Sequence, residues 1–117
     1  MNDEVVEREE FDDVVVIHIH MPSIDLTSVS KIEQACTMMR PIVVLDFAEV
    51  TFINSGGISA LLKFAVSACQ SGYKLFAINV SPHHQKIFKT VEMSRFMPLI
   101  HEQDLSVYRH TNTDEQH

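Results

Sequence analysis

Apolar positions along the chain alternate between an every-other-residue period and a helical one, and each switch marks a new element. Residues 4 to 10 alternate charged and apolar side chains weakly, and after Asp12-Asp13 comes the β-branched run Val14 to Ile17, continued by His18-Ile19-His20. The two segments read as a hairpin whose first strand lies at a sheet edge. Met21-Pro22-Ser23 breaks the second strand. Leu26, Val29, Ile32, Glu33, Ala35, Cys36 and Met39 then recur at about 3.6 residues, which predicts a helix capped by Asp25 or Thr27 and closed by Pro41.

Ile42 to Phe47 is apolar at consecutive positions apart from Asp46, as expected of a central parallel strand covered on both faces. A turn from Ala48 to Thr51 and the short run Phe52-Ile53 lead to Asn54-Ser55-Gly56-Gly57, a polar capping pair and two permissive glycines. Behind them Ile58, Leu61, Leu62, Ala65, Ala68 and Cys69 share one helical face, and Gly72 ends the helix. Tyr73 to Val80 forms the next strand, and Ser81-Pro82 opens a third helix buried through Ile87, Phe88 and Val91. A short strand over 97–100 and a short helix over 103–109 complete the pattern.

Strands alternating with helices at this spacing imply right-handed crossovers. The fold class is α/β: a mostly parallel sheet of four or five strands with an antiparallel edge strand and helices packed on it. One domain over 1–110 is expected, followed by a disordered polar tail over 111–117.

Charge narrows the function. The chain carries 16 acidic against 9 basic side chains, a formal charge of −7 with histidine neutral. Asp3, Glu4, Glu7, Glu9, Glu10, Asp12 and Asp13 against Arg8 alone place most of that excess on the first hairpin. Without a basic stripe, binding to nucleic acid or to an anionic membrane surface is disfavoured. No apolar run approaches the ~20 residues of a membrane span and no leader pattern opens the chain, so no direct membrane insertion and a cytoplasmic location are expected. Cys36 and Cys69 match no metal or redox spacing and read as buried reduced thiols.

The richest segment is Asp46-Phe47-Ala48-Glu49-Val50-Thr51-Phe52-Ile53-Asn54-Ser55-Gly56-Gly57-Ile58. It resembles the STAS domain, the fold of bacterial anti-sigma factor antagonists, in which a strand ending in Asp leads to an Asp-Ser-Ser/Thr-Gly-Leu stretch opening the second main helix. Here Asn54 stands at the Asp position, Ser55 at the phosphorylatable serine, Gly56 at the second hydroxyl, Gly57 at the glycine and Ile58 at the leucine. Ile24-Asp25 is similar to the family's Leu-Asp at the start of helix one, and Ala77 to Pro82 to its fourth-strand exit. Two departures stand out: Asn54 lacks a carboxylate and Gly56 lacks a hydroxyl. Ser-Gly-Gly also looks like the Thr-Gly-Gly of small STAS subunits attached to lipid-transporting ABC ATPases.

The physical reading of Ser55 runs beside that resemblance. A serine at a helix N-terminus presents its hydroxyl to solvent where unpaired N–H groups and the helix dipole tolerate negative charge. A phosphate there would add about −1.5 to −2 charges to the surface and so act on binding rather than folding. The competing role for Ser55 is a plain N-cap worth ~1 kcal/mol. Asp25 and Thr27 fall at the same edge, with a helix-one cap as their alternative role. Asn54, Gly56, Gly57 and Ile58 complete the partner-binding set expected around the serine.

Other chemistry is poorly supported. His18 and His20 face one side of a strand, but no third ligand lies near in sequence, so no metal is assigned. His83-His84, at the start of helix three, reads as a solvated turn or as part of a partner-facing rim. Phosphate-binding glycine loops and the G-x-S-x-G elbow are absent. Met38, Met39, Phe64, Val66, Met93, Phe96 and Met97 are more apolar residues than a small core needs; most are expected in the core, with Phe64 and Val66 off the main buried face of helix two. By resemblance, the expected role is an anti-sigma factor antagonist-like regulator without enzymatic activity or cofactor. It binds a serine-kinase anti-sigma factor when unphosphorylated, is released by ATP-dependent phosphorylation at Ser55, and is reset by a serine phosphatase. The alternative is a STAS adaptor subunit bound to the ATPase of a lipid-transporting ABC system.

Overall fold

A left-handed Asp12, with φ of 57°, turns β1 (Val6–Phe11) back onto β2 (Val14–Ile19) as an antiparallel hairpin. The computed structural model describes residues 5–36 and 40–105. After the hairpin come β3 (Ser23–Ile24), α1 (Leu26–Ala35), β4 (Ile42–Asp46), β5 (Phe52–Ile53), α2 (Ser55–Gln70), β6 (Lys74–Ile78), α3 (Pro82–Thr90) and a 3-10 turn over Met93–Arg95. The main sheet has the order β1-β2-β4-β6, antiparallel only at β1–β2, and β3 and β5 form a separate parallel ladder. An α/β architecture with an antiparallel edge strand is what the hydrophobic pattern implied.

The consecutive apolar residues of β2 and β4 follow from burial on both faces. Val15, Ile17, Ile19, Val43 and Leu45 point into one cluster with Val29 and Ile32 of α1, Leu61, Phe64 and Ala65 of α2, and Phe88 of α3. Val14, Val16 and Val44 point the other way, against Phe11, Ile78 and Leu105. Burying each large side chain contributes ~1.5–3 kcal/mol. Phe47 and Phe88 meet edge to face with centroids 5.7 Å apart, an arrangement that favours aromatic pairs.

Several expectations need correction. Helix one ends at Ala35 rather than Met39, because Cys36 N–H bonds back to Ile32 O and Glu33 O and closes the last turn; Met38 and Met39 lie outside the described residues. Phe64 is buried: α2 packs over a wider face than one stripe predicts. Met93 and Met97 are fully buried, in line with the expectation that most of that apolar group is core, while Val66 and Phe96 are half-buried. His84 is no solvated residue, since it is buried with Nδ1 3.1 Å from the Ser81 hydroxyl. Cys36 is buried, which pushes its thiol up to about 12, but Cys69 is only half-buried and donates to Phe96 O. In place of a strand over 97–100 there is a single parallel bridge between Ala77 and Leu99. Most of the helix over 103–109 and the whole tail over 111–117 lie outside the described residues.

Candidate functional site

Two short parallel strands each feed a helix, and their ends are in register. β3 and β5 pair Ser23 with Phe52 and Ile24 with Ile53, and Asn54 N–H donates to Ile24 O at 3.1 Å. The next residue on each strand caps its own helix. Asp25 Oδ1 accepts from Ser28 N–H at 2.9 Å, and Asp25 N–H donates to Ser28 Oγ at 3.1 Å, a reciprocal box. Asn54 Oδ1 accepts from Gly57 N–H at 2.7 Å. The N-termini of α1 and α2 therefore sit side by side at the end of the ladder, and the positive ends of two helix dipoles converge there.

This geometry revises the role of Ser55. The cap is Asn54, and Ser55 is the first residue of α2, exposed and with no cap duty of its own. Leu26 holds the equivalent first position of α1 and is 67% exposed; Phe52, on β5, is 57% exposed. They are the exposed large hydrophobics among the described residues, and Leu26 lies beside Gly56, its Cβ 3.9 Å from where a Gly56 Cβ would stand. Periodicity assigned Leu26 to the buried face of helix one, but it precedes by one turn the first core contact, Val29. The signal that could have located it was its place directly after the cap.

The two glycines have different surroundings. A Cβ on Gly57 would lie 2.5 Å from Ile24 O and 3.0 Å from Ile53 Cγ2, so α2 approaches the ladder backbone only because this residue is glycine. Gly56 faces outward, and a Cβ there would meet Asn54 Oδ1 at 3.5 Å and Leu26 Cβ at 3.9 Å, ordinary contacts. Gly57 is buried and Ile58 half-buried against the core, so these two residues serve the fold, whereas Asn54, Ser55, Gly56, Asp25 and Thr27 are exposed.

From Gly56 a groove of about 540 Å³ runs between α1 and α2, lined by Leu26, Thr27, Val29, Glu33, Ala60 and Lys63 among others. Charge at the site is sparse. Asp25 is the nearest ionised group in sequence to the converging helix ends, and the Ser28 N–H first and the Ser28 hydroxyl second hold its carboxyl below the ordinary range. No group of three or more His, Cys, Asp or Glu among the described residues is placed to hold a metal ion. Among the same residues no helix is long and apolar enough to cross a membrane.

Comparison with known proteins agrees with this architecture. No curated protein matches the chain by sequence. Among solved structures it is similar to the anti-sigma factor antagonist SpoIIAA in its unphosphorylated form, at 18% identity and a TM-score of 0.65, covering 85% of this chain and 90% of that one. It is similar to an anti-sigma factor antagonist from Mycobacterium paratuberculosis, at 21% identity and a TM-score of 0.69, covering 89% and 92%. A sulfate transporter family protein from Wolinella succinogenes gives 14% identity and a TM-score of 0.67, covering 87% and 88%. At these identities the likeness concerns the fold. The family model for the STAS domain matches residues 5–107, nearly the whole chain, and by that match the protein belongs to the STAS domain family.

Proposed function

We propose that this protein is an anti-sigma factor antagonist-like regulator in a partner-switching pathway. Unphosphorylated, it docks a serine-kinase anti-sigma factor, or a related regulator, through the edge formed by Leu26, Phe52, Ser55 and Gly56. That kinase transfers the terminal phosphoryl group of ATP to Ser55 Oγ, leaving ADP and releasing the hydroxyl proton, and the modified protein dissociates. A serine phosphatase hydrolyses the ester and restores binding. In this reading the protein is a cytoplasmic substrate and ligand, with no catalysis and no cofactor of its own.

The observation that carries the proposal is one exposed serine, not itself the cap, at the first position of α2, on an edge that also carries the exposed Leu26 at the first position of α1 and the exposed Phe52 of β5. Apolar anchors of this kind supply binding energy. Two negative charges among them would oppose it without touching the core. The likeness to SpoIIAA and to the mycobacterial anti-sigma factor antagonist supports the same reading.

The test is affinity capture with wild-type, Ser55→Ala and Ser55→Glu proteins. The expected result is that wild-type and Ser55→Ala retain a kinase-type partner while Ser55→Glu binds at least about tenfold more weakly, ~1.4 kcal/mol, with an unchanged melting temperature. Incubation of the captured kinase with ATP should place phosphate on Ser55, as read by mass spectrometry. Labelling of Ser55→Ala would overturn the assignment. The Ser55-Gly56-Gly57 triplet keeps one alternative open, a permanent adaptor bound to the ATPase of a lipid-transporting ABC system. A stoichiometric complex indifferent to Ser55→Glu would establish that reading instead.

A further inference from the structure

Two histidines are each held between carboxylates from different parts of the sheet. His18, on β2, has Nδ1 2.7 Å from Asp46 Oδ2 at the end of β4 and Nε2 2.9 Å from Glu9 Oε1 on β1. His20, just beyond β2, has Nδ1 2.7 Å from Glu49 Oε2 in the β4–β5 connection and Nε2 2.9 Å from Glu7 Oε1 on β1. An ionised carboxylate only accepts hydrogen bonds, so both nitrogens of each ring must donate, and only the imidazolium form has two N–H groups.

The surroundings are consistent with two cations. The ring centroids are 6.4 Å apart, and Glu7, Glu9, Asp46 and Glu49 face the rings from β1, β4 and the β4–β5 connection. Asp46 also accepts from Ala48 N–H at 3.0 Å and from Asn79 Nδ2 at 2.9 Å, and the same amide donates to Glu102 Oε1 at 3.1 Å. Asp46 is therefore fixed in place for His18. The turn end of the hairpin has a different fastening: Arg40 donates to Glu10 Oε1 at 2.8 and 3.0 Å and to Asp12 O at 2.6 Å, while Arg8 in mid-strand donates to Ala35 O.

We propose that His18 and His20 form a proton-operated latch: doubly protonated, they tie edge strand β1 across β2 to β4 and to the β4–β5 connection, and loss of a proton from each ring frees the Val6–Glu9 end of β1. A neutral ring keeps one donor and turns a lone pair toward the other carboxylate, so a hydrogen bond is replaced by repulsion. The β4–β5 connection continues directly into Phe52 and Asn54, so the latch also fixes the segment leading to Ser55. The latch stands independently of phosphorylation.

The titration direction agrees with the geometry. Burial pulls the His18 pKa down, but its hydrogen bonds to Glu9 and Asp46 outweigh that and raise it above 6.5. Hydrogen bonds to Glu7, then Glu49, raise that of His20. A raised folded pKa means the stabilisation is complete below the unfolded value and is lost as pH rises through the folded value. His18, with its side chain 20% exposed against 34% for His20, is the less screened of the two.

The experiment is NMR on the full-length protein, reading the histidine ring nitrogens and amide hydrogen exchange between about pH 6 and pH 8.5, with exchange rates corrected for base catalysis. Both rings should be imidazolium at the lower pH. Protection of the Glu7 and Glu9 amides, which face β2, should fall about fivefold relative to β4 and β6 as the rings titrate. Protection at Phe11, beside the Arg40 contacts of the turn end, should hold. His18→Gln should reduce the first response to the part that His20 supplies; if that variant fails to fold, the more exposed His20→Gln should reduce it. A neutral His18 at the lower pH, or equal responses at the two ends of the hairpin, would overturn the latch.

Discussion

At the start of α2 the side chains are short and uncharged, and the backbone does the shaping: Asn54 caps, Gly57 lies against Ile24 O, and Gly56 is bare. In the hairpin the described outward-facing side chains of β1 are charged and their partners do the shaping. Glu7, Glu9 and Glu10 are bound to His20, His18 and Arg40 in turn. Most of the formal charge of −7 lies on this hairpin. These three glutamates spend their charge within the chain, holding an edge strand. The Ser55 edge, poor in charge, is where a phosphate would be a large local change, whereas the hairpin is where a proton would be.

The sharpest way to break this contrast is Gly57→Ala. If the edge is built on backbone, one methyl forced to 2.5 Å from Ile24 O must push α2 away from the ladder. The expected cost is about 3 kcal/mol, the upper range for overpacking and a large part of a typical domain's stability. Urea unfolding followed by circular dichroism checks it. A midpoint close to wild type would show that the ladder yields and that Gly57 is not what sets the position of α2.

The same contrast explains what could be read in the sequence. The β2 and β4 strands were legible because burial on both faces leaves consecutive apolar residues, and α2 because its stripe is long. Ser55 was legible through the run from Phe52 to Ile58, but its capping role was not: Asn54 and Ser55 are both good caps, and only the register with β3 selects Asn54. The β3–β5 ladder is two residues long and carries no period. Leu26 and Phe52 look apolar and hence buried, and their exposure depends on where the core ends. The histidine latch was invisible because His18 meets Asp46 and His20 meets Glu49, partners that only the parallel crossover brings together. His84 was misjudged for a related reason, since its partner is the hydroxyl that caps its own helix.

Asn54→Ala is expected to have a smaller effect on the same edge. It removes the acceptor for Gly57 N–H while leaving the close approach of α2 intact, so the loss should be that of an N-cap, about 1 kcal/mol. Asn54→Asp keeps the acceptor and should stay within about 0.5 kcal/mol of wild type. Thermal unfolding of the two variants in parallel checks this. Equal losses for both would mean that the amide N–H₂ group, rather than the cap oxygen, matters here.

The smallest expected effect, and one of opposite sign, belongs to Gly56→Ala. The added methyl meets only ordinary contacts, and replacing a helical glycine removes freedom from the unfolded chain, so stability should rise by up to about 0.5–1 kcal/mol. The fold therefore gives no reason for glycine at this position, in contrast to Gly57 one residue later. A reason is left on the outer side, where bare backbone between Leu26 and Ser55 lets a partner's chain come close. Measured on the partner captured with wild-type protein, Gly56→Ala should then bind severalfold more weakly while melting at the same temperature or higher. Weaker binding together with higher stability would place the purpose of this glycine at the interface. Undiminished binding would confine the docking surface to the Leu26 and Phe52 anchors and the Ser55 hydroxyl.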